Sequence, residues 1–284
     1  MTSRTSGVDH PRGQRIVITP PGRWRLPPVR ELWEAREVLT RFGARDVTLR
    51  YRQTGLGVAW VILQPLLGAG VFAIVFGGVA GLPSDGVPYF VMSFAGMLAW
   101  TAFNGVVGRA SGSLVANQAL VSKVYFPRIL VPLSSVYSVL VDFVVGLAFF
   151  GVLMVVYGIT PGWPLLLLPV WLLLLLMMAS GIGLVASALM VKYRDVAYVL
   201  PVILQTLLYA SPVAYTLAAV PEKWQVWFNL NPLTWILQEF RWSLLGNDAP
   251  DLWQIVASVV AAVVIFVGGA LIFEQWERGF ADVI

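Results

Sequence analysis

Long apolar runs separated by short polar segments make up most of the chain after residue 57. A bilayer core about 30 Å thick is crossed by roughly 20 apolar residues in helical form. Helices are required because lipid offers no hydrogen-bond partner to an exposed backbone group. The pattern predicts six spans, over residues 58–79, 89–107, 129–157, 165–191, 196–217 and 252–273. The predicted fold class is therefore an all-α integral membrane protein with six transmembrane helices.

The chain ahead of the first span is polar and changes character near residue 28. Residues 1–28 are rich in Pro, Gly and Arg, which predicts a flexible tail. Residues 29–57 are predicted to form an amphipathic helix and a connector, with Gly43 as a helix stop. The helix carries an apolar stripe at helical spacing, made of Leu32, Ala35, Val38, Leu39 and Phe42. A helix of this kind ahead of a span is expected to lie in the membrane interface.

The segment over residues 224–245 does not fit the pattern of spans. It is apolar enough to enter a membrane, yet it is interrupted by Asn231-Pro232 and carries charged side chains. Asn before Pro predicts an N-cap and a first helical position, so a second short helix should begin near Leu233 and end before Gly246. We interpret the segment as a re-entrant helical hairpin that forms an outer gate before the last span. A seventh crossing is the alternative and would move the C-terminus to the outer side.

Small side chains recur at four-residue steps in the fourth predicted span, at Ala179, Gly183 and Ser187. Such a stripe allows a neighbouring helix to approach closely. The neighbour could belong to the same bundle or to a second subunit.

Composition supports the membrane assignment and excludes several chemistries. Apolar residues make up 58% and charged residues 12% of the chain, with a mean hydropathy of +0.78, whereas soluble domains have about 45–50% and about 25%. There is no cysteine, and the single histidine, His10, lies in the polar tail, so histidine catalysis and metal sites are not expected. The sequence has no GxxxxGK(S/T) phosphate loop. We expect no cofactor on this chain, and any ATP and Mg should be bound by a separate subunit.

The basic charge is distributed asymmetrically. The net charge is +4, and residues 1–57 hold 11 of the 19 Lys and Arg residues, directly before a span. That position favours a flank near anionic lipid over nucleic-acid binding. Counted by loop, 17 cations lie on the side of the two termini and of the 109–128 loop, and two lie on the other side. This distribution predicts cytoplasmic N- and C-termini, and the start of the chain lacks the apolar region of a signal peptide.

Four short motifs occur in order along the chain. They are Leu49–Pro65 (LRYRQTGLGVAWVILQP), Ser122–Arg128 (SKVYFPR), Lys192–Asp195 (KYRD) and Asn231–Leu233 (NPL). Together they resemble the permease subunits of type-2 ABC exporters. Within that superfamily they are most similar to the branch that exports lipid-linked polysaccharides such as O-antigen, teichoic acid and galactan. The resemblance covers about residues 30–280.

The resemblance implies a homodimer of permeases, each seated on one copy of an ABC ATPase subunit. It also implies that the 109–128 loop contains a coupling helix that docks on the ATPase. Pro127 should end that helix, which narrows the docking element to about Val115–Phe126. A basic loop with a Tyr-Phe anchor in the membrane interface is the alternative for Ser122–Arg128. The coupling residues expected from the resemblance are Asn117, Gln118, Ser122, Lys123, Tyr125, Phe126 and Arg128.

Three polar side chains near or inside the spans are candidates for substrate contact. Arg50 and Arg52 could hold the first span to lipid phosphates, or engage the pyrophosphate of a lipid-linked substrate at its cytoplasmic entrance. Asp142 lies deep in the third span, where an ionisable group is costly. A structural hydrogen bond to a neighbouring helix is one interpretation of Asp142, and a position along the substrate path is the other.

The part of the chain expected on the outer side is rich in aromatic residues. Tyr and Trp gather at membrane interfaces, so an aromatic belt is one explanation. Sugar rings also pack on flat aromatic faces, and a glycan channel is the second explanation. We hypothesise that Tyr209, Tyr215, Trp235 and Phe240 face the glycan.

The sequence thus predicts the non-enzymatic permease subunit of an ATP-driven exporter of lipid-linked polysaccharide in the bacterial inner membrane. A type-2 ABC exporter of a drug or lipid is the nearest alternative. A membrane glycosyl- or acyltransferase would need a catalytic acid-base set that the spans lack. An ion-coupled transporter would need more intramembrane ionisable residues than are present.

Overall fold

The computed structural model describes residues 29–280 apart from residues 53–56, 58, 85, 122, 124–125, 247 and 278, and for Val29 it describes the backbone alone. The predicted flexible tail, residues 1–28, lies outside the described residues. The helices are α1 (Val29–Glu34), α2 (Arg36–Arg52), α3 (Ala59–Phe72), α4 (Tyr89–Ala116), α5 (Gln118–Val121), α6 (Leu130–Leu133), α7 (Ser135–Val156), α8 (Leu168–Lys192), α9 (Val196–Tyr209), α10 (Glu222–Asn229), α11 (Pro232–Leu245) and α12 (Leu252–Glu277). A π-helical stretch, Ala73–Val79, continues α3, and 3-10 turns precede α8 and α10.

Five helical segments within the described residues are long and apolar enough to cross a membrane. They are Ala59–Val79, Tyr89–Ala116, Leu130–Val156, Trp163–Lys192 and Leu252–Glu277. They correspond to five of the six predicted spans, and the multi-pass helical fold class is confirmed. The second span is longer than predicted, because α4 continues to Ala116 instead of ending near residue 107.

Helix α4 forms the centre of the bundle. Every residue from Val91 to Trp100 is buried, and the helix packs against α3, α7, α8, α9 and α11. A Cβ atom on Gly96 would lie 1.9 Å from the carbonyl oxygen of Val213, so the chain after α9 rests directly on the α4 backbone. The apolar side chains of α4 are therefore held by protein contacts, whereas most of those of α3 and α12 are exposed or only partly buried.

The fifth predicted span, 196–217, is shorter than expected. Helix α9 has 14 residues, which is about 21 Å of helix and less than the bilayer core. The chain after Tyr209 is irregular, and its residues from Ser211 to Ala214 are buried. Polar side chains bind this irregular stretch: the Tyr89 hydroxyl donates to the Ala214 carbonyl at 2.8 Å, and the Arg241 guanidinium donates to the Tyr215 carbonyl at 2.8 Å. A non-helical backbone is tolerated there because protein groups satisfy it.

Helix α2 does not stop at Gly43, contrary to the prediction. A Cβ atom on Gly43 would lie 2.5 Å from the Cβ of Tyr137, so glycine is needed for close packing of α2 on α7. The same packing continues α2 to Arg52. The predicted apolar stripe of α1 and α2 packs on a cluster near the ends of α4, α8 and α12 that includes Leu114, Leu184 and Phe273. The interfacial position of this amphipathic helix stays a prediction.

The predicted helical hairpin has the expected internal structure. Helices α10 and α11 are separated at Asn231, whose Oδ1 atom accepts a hydrogen bond from the Leu233 backbone N–H at 3.1 Å. Pro232 occupies the first position of α11, and Gly246 ends that helix with a φ of 70°. Helix α11 is largely buried, and α10 is more exposed. The depth of the hairpin in the membrane stays a prediction.

The predicted stripe of small residues packs inside this bundle. Ala179 and Ser187 are completely buried, and a Cβ atom on Gly183 would lie 2.8 Å from the Cβ of Ala110 in α4. The closest crossing involves a different pair of glycines. A Cβ atom on Gly269 of α12 would lie 2.2 Å from the carbonyl oxygen of Gly181 in α8. The backbones of α8 and α12 are therefore in direct contact, as small residues permit between membrane helices.

We predict that Gly269→Ala destabilises the protein by about 1–3 kcal/mol, because the added methyl group forces two backbones apart. Gly268 is the matched control on the same helix, since a Cβ atom there meets nothing within 4 Å. Gly268→Ala should be neutral, or stabilising by up to about 1 kcal/mol. Thermal unfolding in detergent, followed by tryptophan fluorescence, measures the difference. Equal unfolding temperatures for the two variants would contradict the backbone contact.

Candidate functional site

A charged junction joins three helices at one end of the bundle. The Asp142 carboxylate in α7 accepts hydrogen bonds from the Arg109 guanidinium in α4 and from the Tyr51 hydroxyl in α2. The guanidinium of Arg50, also in α2, lies 3.2 Å from the same carboxylate. Arg109 additionally donates to the Ser138 hydroxyl at 2.7 Å. One carboxylate therefore ties α2, α4 and α7 together.

The charged side chains of this junction lie inside the apolar helices but close to the polar end of the bundle. Asp142 lies about 10 Å along α7 from Ser135, and Arg109 lies at a similar distance from the end of α4 at Ala116. Both charges thus sit inside the apolar helices, but within reach of the polar end of the bundle. Removing water from a charged group is costly unless an opposite charge and hydrogen bonds replace it. Two guanidiniums on one carboxylate leave a local excess of one positive charge.

Tyr51 is held in its donating form. Burial, with a smaller contribution from the hydrogen bond to Asp142, raises the pKa of the Tyr51 hydroxyl far above its usual range. The phenol therefore stays protonated at physiological pH and donates to the carboxylate. Tyr51 adds a hydrogen bond to the junction without adding a charge.

A small cavity of about 80 Å³ adjoins the junction. Besides Arg50, Arg109 and Asp142, its lining includes the amide and hydroxyl side chains of Gln64, Asn104 and Thr101. Such a set combines positive charge with neutral hydrogen-bonding groups. Guanidiniums and amides together suit an anion with several oxygen atoms, such as a phosphate group.

A larger open groove of about 570 Å³ lies on the other side of the same polar residues. It is bounded by α3, α4, α8 and α9, and Gln64, Thr101 and Asn104 line both the cavity and the groove. Its remaining lining includes Met97, Trp100, Met190, Gln205 and Leu208. The groove therefore combines apolar side chains with amide groups, and it shares three polar residues with the cavity beside the charged junction.

The predicted coupling segment begins where α4 ends. Asn117 terminates α4, and its side-chain NH2 donates to the Ser113 carbonyl at 2.8 Å. The Oδ1 atom of Asn117 accepts from Arg45 of α2 at 2.6 Å. The single turn of α5, Gln118–Val121, follows, with Gln118 exposed and Val121 buried. The side chain of Asn117 thus connects the start of this segment to α2 through a hydrogen bond.

The second half of the segment returns to the bundle through Phe126 and Arg128. The Phe126 ring lies 5.9 Å from the Phe42 ring of α2, centroid to centroid. Arg128 approaches Glu277 at the end of α12, at 3.9 Å from its carboxylate. Lys123, three residues before Phe126, is exposed. Two further predicted coupling residues, Ser122 and Tyr125, lie outside the described residues.

Arg50 and Arg52 occupy different environments. Arg50 is part of the charged junction, whereas Arg52, at the last turn of α2, is exposed. The structure therefore brings Arg50 together with Asp142, two residues that the sequence alone did not connect. Arg52 is available at the surface for lipid or substrate phosphates.

The four aromatic residues predicted to face the glycan lie in different environments. Tyr209 is exposed at the end of α9, and its carbonyl accepts a hydrogen bond from the Tyr215 hydroxyl at 2.7 Å. Trp235 packs edge-on against Trp253, with ring centroids 5.8 Å apart. Phe240 is completely buried against Phe143, so its ring is a core side chain in this conformation and we remove it from the glycan-facing set.

Three residues of this region were not predicted from the sequence. Arg109, Tyr51 and Arg45 connect the junction and the coupling segment, but each was interpreted only as part of a basic or amphipathic stretch. One signal was present: Arg109 and Asp142 lie at similar depth from the polar loop that joins their two helices. Opposite charges at equal depth in consecutive spans are candidates for pairing.

The fold and these sites define a polytopic helical membrane protein with an amphiphilic groove and a projecting segment at one end, which is the architecture of a transport permease. Residues 38–245 match the family described as ABC-2 type transporter. This match covers more than half of the chain, and the chain therefore belongs to the ABC-2 type transporter family.

Several relatives are similar over nearly their whole length. The chain is 29% identical over 258 residues to the O-antigen export system permease protein RfbA of Myxococcus xanthus, covering 90% of this chain and 98% of that protein. It is 25% identical to the protein of the same name from Klebsiella pneumoniae, covering 84% and 92%. It is also 25% identical to the polysialic acid transport protein KpsM of Escherichia coli, covering 83% and 89%. The expected resemblance to polysaccharide export permeases is confirmed.

We predict that Arg109→Gln destabilises the protein by about 1–3 kcal/mol, because it removes a charged hydrogen bond from a partly buried carboxylate. The double variant Arg109→Gln/Asp142→Asn should recover part of that loss, since it removes the carboxylate charge as well. The unfolding temperature in detergent measures both effects. A double variant less stable than the single variant would contradict the charge argument.

Proposed function

We propose that the chain is the permease subunit of an ATP-driven exporter that moves a lipid-linked polysaccharide across the bacterial inner membrane. The observation that carries the proposal is the similarity to a protein named as an O-antigen export permease over 98% of that protein's length. Relatives named for polysialic acid transport extend the same substrate class. A type-2 exporter of a drug or lipid is not favoured, because these relatives are named for polysaccharide substrates.

The energy source would be ATP hydrolysed on a separate ATPase subunit that carries the Mg ion. This chain has no phosphate-loop motif in its sequence and would itself catalyse no covalent reaction. The segment from Asn117 to Arg128 would dock on that subunit. A rigid helix transmits a movement at one end to residues along its length. Since α4 runs without a break from the groove to Asn117, a displacement of the segment by the ATPase would move the residues of α4 that line the groove.

The groove between α3, α4 and α9 is the best candidate for the glycan path in this chain. Gln64, Asn104 and Gln205 offer hydrogen bonds to sugar hydroxyls, and the buried Trp100 forms part of the floor of the groove. The groove is open along one side, so a second copy of the chain would complete it. Tyr209, which follows the groove residue Leu208, and the nearby Tyr215 would extend the aromatic surface outward. Trp235 stays a proposed contact near the outer gate.

Orientation follows from the cation distribution. With both termini and the 109–128 loop in the cytoplasm, the charged junction lies near the cytoplasmic face, where a lipid-linked substrate would arrive. Arg50 and Arg52 would then form the substrate entrance. A reporter fused after Ile284 would be active in the cytoplasm under this topology.

We expect depletion of this protein in its native bacterium to cause a lipid-linked glycan to accumulate on the cytoplasmic side and to disappear from the cell surface. Extraction of the lipid fraction, followed by sugar analysis, measures the accumulation. The control is depletion rescued by a plasmid copy of the wild-type gene. Normal surface polysaccharide after depletion, together with an altered export of a small amphiphile, would favour the alternative exporter.

We expect Arg45→Ala and Phe126→Ala to lower glycan export by about tenfold while ATP hydrolysis by the assembled complex continues. Each change removes one contact between α2 and the coupling segment. Arg41→Ala is the matched control, because Arg41 lies one turn earlier on α2 and is exposed. Unchanged export per ATP hydrolysed in both variants would contradict the proposed coupling segment.

A further inference from the structure

The charged junction and the coupling segment share one helix. Arg50 and Tyr51 of α2 contact Asp142, and Arg45 and Phe42 of the same helix contact Asn117 and Phe126. The two regions are separated by about 8 Å along α2, from Arg45 to Arg50. Any displacement of the end of α2 therefore acts on the start and on the end of the coupling segment.

Asp142 occupies the positions that an incoming phosphate group would need. Its Oδ2 atom contacts the guanidiniums of both Arg109 and Arg50, and the adjoining cavity adds Gln64, Thr101 and Asn104. Guanidinium groups bind carboxylate and phosphate through the same paired N–H donors. A pyrophosphate group that is esterified at both ends carries two negative charges, one on each phosphate. It competes well with a single carboxylate for two guanidiniums, because two positive charges favour the more highly charged anion.

Access to the junction is open on the α2 side. The Arg50 side chain is 39% exposed, whereas those of Arg109 and Asp142 are 27% and 14% exposed. An anion arriving from the polar end of the bundle would meet Arg50 first and Arg109 second. Tyr51 would lose its acceptor when the carboxylate is displaced, which weakens the attachment of α2 to α7 in a second way.

We propose that Asp142 is an internal substitute for substrate phosphate: it latches α2 onto α4 and α7 when the entrance is empty, and a pyrophosphate group displaces it and releases α2. The proposal rests on the proposed function for the source of that pyrophosphate, a polyprenyl-linked glycan. Release of α2 changes the Arg45–Asn117 and Phe42–Phe126 contacts and so reports substrate occupancy to the coupling segment. A ligand shifts such an equilibrium only if it binds one state more tightly than the other. Pyrophosphate would bind the released state more tightly, because in the latched state the two guanidiniums are already occupied by Asp142.

Binding of inorganic pyrophosphate to the full-length permease in detergent tests the latch directly. Asp142→Asn should bind pyrophosphate about tenfold more tightly than the wild type, because the competing charge is gone, and Arg109→Gln should bind more weakly. Tyr51→Phe, which keeps every charge, should give a smaller gain and serves if Asp142→Asn folds poorly. Glu37→Gln is the control, an exposed carboxylate on the same helix. Unchanged or weaker binding in both Asp142→Asn and Tyr51→Phe would overturn the proposal.

Competition experiments in lipid nanodiscs identify the source of the phosphate. Polyprenyl pyrophosphate should displace bound inorganic pyrophosphate, and phosphatidylglycerol at the same mole fraction should not. Equal displacement by phosphatidylglycerol would assign the pocket to ordinary lipid phosphate and overturn substrate sensing.

ATP hydrolysis by the complex with its ATPase gives the functional readout. Polyprenyl pyrophosphate should stimulate hydrolysis in the wild type, and Asp142→Asn should hydrolyse ATP at a raised basal rate. Arg45→Ala should lose the stimulation while it binds pyrophosphate at least as tightly as the wild type, because loss of a contact of α2 cannot make the release of α2 harder. A basal rate in Asp142→Asn equal to that of the wild type, despite tighter binding, would overturn the link to coupling. These measurements need no glycan, so failure of the wild-type complex to export polysaccharide would count against the proposed function and leave the latch tested separately.

Discussion

The ion pair between Asp142 and Arg109 is the interaction on which the end of the bundle formed by α2, α4 and α7 depends. It joins consecutive long helices, α4 and α7, at a depth where neither charge could remain alone, and it draws in Arg50 and Tyr51 from α2. An unpaired charge at this depth is costly, so the three helices are constrained to meet at one point. The close packing of Gly43 on Tyr137 is compatible with that meeting, because it lets α2 lie flat against α7.

Helix α4 connects this junction to the groove and to the segment that follows Asn117. Its residues from Val91 to Trp100 are buried, one of its faces lines the groove, and its end leads into the proposed coupling segment at Asn117. Protein interiors are densely packed and deform as units, so a movement at the end of such a helix is not absorbed along the way. The groove, the junction and the coupling segment are therefore parts of one mechanical unit.

Much of the fold could be predicted because the bilayer imposes a strong rule on length and apolarity. Five spans, the break at Asn231-Pro232 and the stop at Gly246 follow from that rule and from local capping chemistry. The predictions failed where tertiary contacts replace local preferences. The sequence predicts that a helix ends at Gly43, but close packing on Tyr137 places Gly43 inside α2. The apolar pattern predicts a continuous helix for the fifth span, but hydrogen bonds from Tyr89 and Arg241 stabilise an irregular chain after Tyr209.

The sequence by itself determined the membrane fold class, the positions of most helices and the family, because each depends on composition, spacing or short contiguous motifs. Only the tertiary structure decided which distant side chains meet. Asp142 and its three partners come from α2, α4 and α7, and Phe240 became a core residue because α7 supplies Phe143 beside it. Pairings of this kind depend on how helices rotate and cross, and no local pattern in the chain encodes that rotation.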